Sequence, residues 1–158
     1  MTLHSRRCMT IGLIALASGL SILAPARATA QAGPYQFYSL TPCRVIDTRP
    51  LDALTSGVQR NLTIKSRCGI PLDAAAVALN LTVVTPTLSG FVTLWPYGTS
   101  LPSVSTINFA ANEPALANGA IVSLGSDPTS KFHLAAIYGV ASGTGTVHVL
   151  IDVSGYFR

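Results

Sequence analysis

The sequence predicts an all-β protein: an antiparallel β-sandwich with a jelly-roll-like arrangement of about eight or nine short strands and one disulfide. Short apolar segments alternate with turns rich in glycine, proline, serine and asparagine throughout the chain after residue 32. No segment there shows the period of about 3.6 residues that marks a convincing amphipathic helix. A closed barrel is the structural alternative, because it would contain the same strands and turns.

The first part of the chain predicts a secretory signal peptide over residues 1–32. An Arg6-Arg7 pair precedes an apolar run at 11–24, and small residues ending at Ala30 and Ala32 form two overlapping Ala-x-Ala cleavage sites. The apolar run is shorter than the about 20 residues that a membrane-spanning helix needs, which disfavours a membrane anchor. The arginine pair is compatible with either the general or the twin-arginine export route.

The remaining chain, residues 33–158, is predicted to be a single β-sandwich domain, secreted and extracellular. Three of the 10 basic residues (Arg6, Arg7 and Arg27) belong to the signal, so seven basic and six acidic residues remain after cleavage. This near-neutral balance disfavours nucleic acid as a partner. We expect no stable membrane insertion after cleavage and no cofactor.

Four strands are predicted in the first half of the chain. The β-prone aromatic segment ends at Pro42, and residues 50–57 are predicted to form a loop, because proline, aspartate, serine and glycine cluster there. The clearest strand has Val77, Leu79, Leu81 and Val83 on one face, because apolar and polar residues alternate there. The predicted strands are 35–40, 44–46, 58–64 (with Val58, Leu62 and Ile64 on one side) and 76–83.

Five further strands are predicted in the second half. A turn at Leu88-Ser89-Gly90 predicts that the next strand forms a hairpin with strand 76–83. The last strand places four branched apolar residues on one face and His148, Leu150 and Asp152 on the other. The predicted strands are 91–95, 104–109, 120–124, 132–138 and 146–153.

Cys43 and Cys68 are the two cysteines that remain after the signal is removed. An even number of cysteines in an exported protein predicts a disulfide between them. A cysteine-based metal site is the alternative, but the chain has no CxxC pair to support it.

Several motifs together resemble a largely uncharacterised family of secreted β-domains that is common in bacterial exported proteins. Its PCRxxDTR opening is matched at 42–49, and the other motifs follow in the family's order over essentially the whole chain after the signal. They are RCGIP at 67–71, AVxLNxT at 76–82, GFxTxWP at 90–96, STINF at 105–109 and DVxGYF at 152–157. The resemblance implies a surface or accessory module rather than a particular reaction. Glu113-Pro114 stands where the family pattern has a glycine, which concerns only the local turn.

Four charged residues form the main candidate site. Arg44, Asp47 and Arg49 lie within six residues of a chain that is only 10% charged, and Asp152 lies on the last strand. We predict a structural ion cluster, because charges in apolar surroundings are kept when they are paired. A ligand site is the alternative. Calcium is a weaker one, since Asp47, Asp52, Asp73 and Asp152 supply oxygens but share no calcium-binding loop; no metal is expected.

Catalytic residues are not predicted, and we expect a non-enzyme. His133, His148 and Asp152 would serve a hydrolase on paper, but the chain has no GxSxG motif for a nucleophile. Phe91, Trp95 and Tyr97 are candidates for stacking on sugar rings, because flat apolar faces suit the CH groups of carbohydrates. The alternative for these aromatic residues is a place in the core.

The expected function is therefore a secreted, non-catalytic interaction or structural module at the cell surface or in the extracellular matrix. A carbohydrate-binding module for cell-wall or environmental glycan is the second hypothesis, and a secreted hydrolase is the third. The corresponding partners are extracellular polysaccharide or other surface proteins.

Overall fold

A computed structural model describes residues 33–49 and 51–158 of the chain; the predicted signal peptide lies outside the described residues. These residues form nine strands. The strands are β1 (Phe37–Asp47), β2 (Leu54–Thr55), β3 (Arg60–Leu62), β4 (Ala76–Val84), β5 (Gly90–Pro96), β6 (Ile107–Phe109), β7 (Leu116–Ser123), β8 (Leu134–Val140) and β9 (Thr146–Phe157). In this part of the chain no helix has the length and apolar character needed to cross a membrane.

The strands form two antiparallel sheets that pack face to face, which confirms the predicted sandwich. One sheet has the order β1-β9-β4-β7, with β2 also pairing with β9, and the other has the order β3-β8-β5-β6. The chain therefore pairs outward from its middle: β5 with β6, β4 with β7, β3 with β8, and β1 with β9. This nesting of the first half on the second is the jelly-roll arrangement.

The core lies between the sheets and is lined by the inward faces of the central strands. On β4 and β9 the alternating residues predicted to share one face are all buried, because each strand has a sheet on one side and solvent on the other. Tyr138 on β8 is fully buried and packs against Phe109 with ring centroids 5.7 Å apart. The inward residues are Val77, Leu79, Leu81 and Val83 on β4 and Val147, Val149, Ile151 and Val153 on β9.

The predicted end of the first strand at Pro42 is wrong, since β1 runs through this residue to Asp47. The register between β1 and β9 shifts between Ser39 and Cys43, so Pro42 lies in an irregular stretch of the ladder. β1 is also an outer strand of its sheet. Proline is tolerated at bulges and on edge strands because no ladder hydrogen bond is required of it there.

The predicted hairpin between strands 76–83 and 91–95 is also wrong. β4 already has β7 on one side and β9 on the other, so neither edge is free for β5. The segment after Val84 instead carries the chain to the opposite sheet, where β5 pairs with β6 and β8. Thr85 begins this crossover in the left-handed region, with φ of 45°.

The outer strands differ most from their predicted bounds. β3 and β6 are only three residues long, and Val58, predicted to share a face with Leu62 and Ile64, is 57% exposed while those two are buried. β2 lies inside a predicted loop, and β7 begins at Leu116, well before the predicted start at 120. Near Glu113-Pro114, the left-handed turn position is occupied by Asn112 (φ 60°), and asparagine tolerates this region better than most residues.

The disulfide joins Cys43 on β1 to Cys68 in the loop between β3 and β4, as predicted, with Cα atoms 5.9 Å apart. Arg67 donates to the main-chain oxygen of Val45 at 2.9 Å, where a second register shift interrupts β1. Gly69 has φ of 79°, a conformation that a side chain would strain. The RCGIP segment therefore fastens the irregular strand β1 to the body of the sandwich.

Candidate functional site

A cavity of about 610 Å³ forms an open groove on the outer face of the four-stranded sheet. β5 and β8 supply its floor, and the segments 101–105 and 141–143 supply its walls. We call it the β5–β8 groove. Its volume lies within the range of about 300–1,000 Å³ that is usual for ligand sites.

Phe91 forms the aromatic part of this floor. It lies between Asn108 of β6 and Gly139 of β8, its direct partners in the two neighbouring ladders. A Cβ atom added to Gly139 would lie only 2.2–2.7 Å from the Cζ, Cε1 and Cε2 atoms of Phe91. The ring therefore covers the glycine backbone, and its position requires a residue without a side chain at 139. Phe91 remains 37% exposed.

The polar groups of the groove are neutral. Its lining contains no aspartate, glutamate, lysine, arginine or histidine. Asn108 donates from Nδ2 to the Oγ of Ser105 at 2.9 Å, a bond that uses neither the amide oxygen nor the serine O–H. The hydroxyl of Tyr138 is not available, because it donates to the main-chain oxygen of Leu88 at 2.6 Å.

The three aromatic residues predicted as sugar-stacking candidates have different environments. Trp95 is 3% exposed and donates from Nε1 to the main-chain oxygen of Thr99 at 3.2 Å, so its faces are not open to a ligand. Tyr97 lies outside the lining of the groove and packs against Phe132 with ring centroids 5.4 Å apart. Of the three, only Phe91 contributes to the groove.

The predicted ion cluster is assembled at the edge of the other sheet. Arg44 and Asp152 are cross-strand partners, with Nε–Oδ1 and Nη2–Oδ2 distances of 2.8 and 3.0 Å. Arg49 donates to Asp47 in the same bidentate arrangement, with an Nε–Oδ1 distance of 3.0 Å and an Nη2–Oδ2 distance of 2.8 Å. Arg44 also contacts Asp47 at 3.3 Å, which joins both pairs.

These ion pairs are half-exposed, and their effect on ionisation follows from direct contact. The side chain and main-chain N–H of Arg49 hold the pKa of Asp47 far below its ordinary value. The hydrogen bond from Arg44 likewise lowers the pKa of Asp152. All the ionised oxygens in the cluster are engaged by guanidinium groups, an arrangement that serves attachment of β1 to β9 better than it serves a ligand.

The histidines predicted as hydrolase candidates are held by main-chain groups. The Nδ1 atom of His133 accepts from the N–H groups of Ile64 and Lys65 at 3.1 and 3.2 Å, and burial lowers the pKa of its imidazole. The Nδ1 atom of His148 lies 3.0 Å from the main-chain oxygen of Thr48. Among the described residues no side-chain hydrogen bond joins either histidine to Asp152.

Thr48, which the sequence did not single out, lies just after β1 and holds the chain against β9. It is 4% exposed, and its Oγ1 accepts from the N–H of Val149 at 2.8 Å. Its own N–H donates to the oxygen of Val149 at 3.1 Å. Its place in the PCRxxDTR motif was the only sign in the sequence that Thr48 matters. Its role could not be predicted, because its partner lies 101 residues away in the chain.

The calcium alternative finds no support in the arrangement of the acidic residues. Asp52 pairs with Arg60, and Asp73 lies 3.8 Å from Arg158, so they do not join Asp47 or Asp152. In residues 33–49 and 51–158 no group of three or more histidine, cysteine, aspartate or glutamate side chains is placed to hold a metal ion.

The chain was also compared with known proteins. No protein-family model matches it, and a search of curated proteins finds no significant match.

Proposed function

We propose that this chain is an exported, non-catalytic interaction module that presents the β5–β8 groove to a partner outside the cell. The observation that carries the proposal is the groove, a cavity of about 610 Å³ with one exposed aromatic ring and an uncharged lining. Such a cavity can bind a neutral group but offers no carboxylate, imidazole or amine for acid–base chemistry.

Export is supported by two independent features of the chain. The first 32 residues have the three parts of a secretory signal. The Cys43–Cys68 disulfide is of a kind that persists in oxidising compartments and is rare in the cytosol. The resemblance to secreted bacterial domains agrees with both, because it implies a surface or accessory module.

A non-catalytic role is supported by the positions of the reactive side chains. A hydrolase needs a nucleophile, a base and a substrate cavity in one place. The groove contains serine hydroxyls, but neither His133 nor His148 lines it. The carbohydrate-binding hypothesis is favoured by one specific observation, the exposed ring of Phe91 on the groove floor.

The proposal is tested by retention on the surface of the cells that produce the protein. Val104 is 67% exposed on the groove wall, so Val104→Glu places a charge in the groove without disturbing the core. Val58, 57% exposed and outside the groove lining, provides the matched control Val58→Glu. We expect Val104→Glu to release the protein into the medium and Val58→Glu to leave retention unchanged.

N-terminal sequencing of the processed protein provides the second measurement, with Gln31 or Gly33 expected as its first residue. Equal retention of the two glutamate variants would contradict the groove as the interaction surface. An uncleaved chain held in the membrane with Met1 still attached would contradict export by a cleaved signal.

A further inference from the structure

The register of the four-stranded sheet places three outward-facing residues in one row across the floor of the groove. Asn108, Phe91 and Gly139 are consecutive cross-strand neighbours on β6, β5 and β8. Directly opposed residues in a sheet have Cβ atoms about 4.5–5.5 Å apart, so Asn108 and Gly139 flank Phe91 on its two sides. The glycine on the other side lies beneath the ring and leaves no side chain to tilt it.

Phe91 is consequently packed over Gly139, and we call its ring the platform of the groove. The close approach to Gly139 holds one side of the ring against the strand, while 37% of the residue stays exposed towards the groove. The rest of the outward face of β5 is covered, because Thr93 donates to the oxygen of Val104 and Trp95 donates to the oxygen of Thr99. Phe91 is thus the most exposed of the outward-facing residues Phe91, Thr93 and Trp95 on β5.

The polar groups beside the platform match a molecule with several hydroxyl groups. One N–H of Asn108 Nδ2 is donated to Ser105, which leaves the second N–H as a donor, the amide oxygen as an acceptor and the serine O–H as a donor. Neighbouring hydroxyl groups on a sugar ring supply both a donor and an acceptor. The uncharged lining favours a neutral ligand over an acidic one, because it offers no cation to pair with a carboxylate.

We propose that the β5–β8 groove binds a neutral glycan, with one pyranose ring stacked on Phe91 and its hydroxyl groups bonded by Ser105 and Asn108. This inference rests on the proposed function and specifies the ligand class of the same site. A proline-rich peptide is the competing occupant, but such segments dock in grooves lined by several aromatic rings. In this groove the second aromatic residue, Tyr138, is fully buried.

The structure offers a matched control for the platform. Phe37 also lies over a glycine, because a Cβ atom added to Gly155 would lie 2.3 Å from its ring. Phe37 is 52% exposed but does not line the groove. Phe37→Ala and Phe91→Ala therefore remove the same kind of contact, and only the second removes the proposed platform.

The test measures binding of the disulfide-bonded protein, after removal of its signal, to cellulose, chitin, xylan, galactomannan and α-glucan, with polygalacturonate as an acidic comparison and a polyproline peptide as a competitor. We expect binding to at least one neutral polysaccharide. Phe91→Ala should weaken this binding at least tenfold, whereas Phe91→Tyr and Phe37→Ala should retain it. Where Phe91→Ala does not fold, Ser105→Ala and Asn108→Ala, both at exposed positions, decide the question by the same loss.

Four results would overturn the inference. The protein could bind none of the neutral polysaccharides, or it could bind polygalacturonate more tightly than any of them. It could bind the polyproline peptide and no polysaccharide, or a folded Phe91→Ala variant could bind polysaccharide as well as the unmodified protein. These results leave the interaction module itself in place if Val104→Glu still abolishes surface retention, since the groove would then hold a different partner. Unchanged retention of Val104→Glu together with no binding to any polysaccharide would reject both proposals.

Discussion

Replacing Thr48 by valine tests whether one hydroxyl group holds the first strand region on β9. Thr48 is 4% exposed, and valine keeps its branched shape, so no cavity is created. The substitution removes the acceptor of the Val149 N–H, which lies 2.8 Å away. A buried donor left without a partner costs about 1–3 kcal/mol, and we therefore expect a loss of about 2 kcal/mol in the free energy of unfolding.

The assay is equilibrium unfolding in urea with the disulfide intact, and Thr48→Ser is the control. Serine retains the hydroxyl but loses one methyl group, which is worth about 0.8 kcal/mol when fully buried. Thr48→Val should consequently be the less stable of the two variants. The reasoning fails if the valine variant is as stable as the serine variant, because the shape of the side chain would then matter more than its hydrogen bond.

Three further outcomes are expected. Replacing Cys43 and Cys68 together by serine should lower stability by about 3.5 kcal/mol, the chain-entropy value for a separation of 25 residues, and urea unfolding of the double variant measures it. Since burial lowers the pKa of His133, the unfolded chain takes up its proton first, and stability should fall as the pH drops below about 6.5. His133→Gln should reduce this dependence in unfolding series between pH 5.5 and 7.5, and an identical slope in both proteins would exclude His133 as its source. Asp152→Asn should cause only a small fall in melting temperature that shrinks in 1 M salt, because the pair with Arg44 is half-exposed; a large, salt-independent loss would contradict this view.

The fold was predictable where a strand has one buried face and neighbours on both edges. β4 and β9 meet this condition, and their alternating residues identified the core side correctly. Outer strands carry a weaker pattern, because fewer of their residues are buried. β7 shows this most clearly: Ala117, Asn118 and Gly119 are exposed and have a loop-like composition, although all three pair with β4.

Strand pairing was less predictable than strand position. The turn at Leu88-Ser89-Gly90 indicates a reversal of the chain but does not tell which edge is free to receive the next strand. The groove was harder still, since Phe91, Asn108 and Gly139 are distant in sequence and become neighbours only through the register of two ladders. The reason for a glycine at position 139 cannot be read from the sequence, because it depends on the Phe91 ring that lies over it.

The two most distinctive parts of the molecule lie in different sheets and have different physical tasks. The residues of the PCRxxDTR and RCGIP motifs join β1 to β9 and to the loop after β3 through a disulfide, the double ion pair of Arg44 with Asp152 and the hydroxyl of Thr48. The groove lies on the four-stranded sheet, and its walls at 101–105 and 141–143 belong to loops outside those attachments. Loops on a rigid scaffold can change sequence without loss of the fold. Substitutions in these walls should therefore alter what the domain binds while the attachments of β1 keep the sandwich intact.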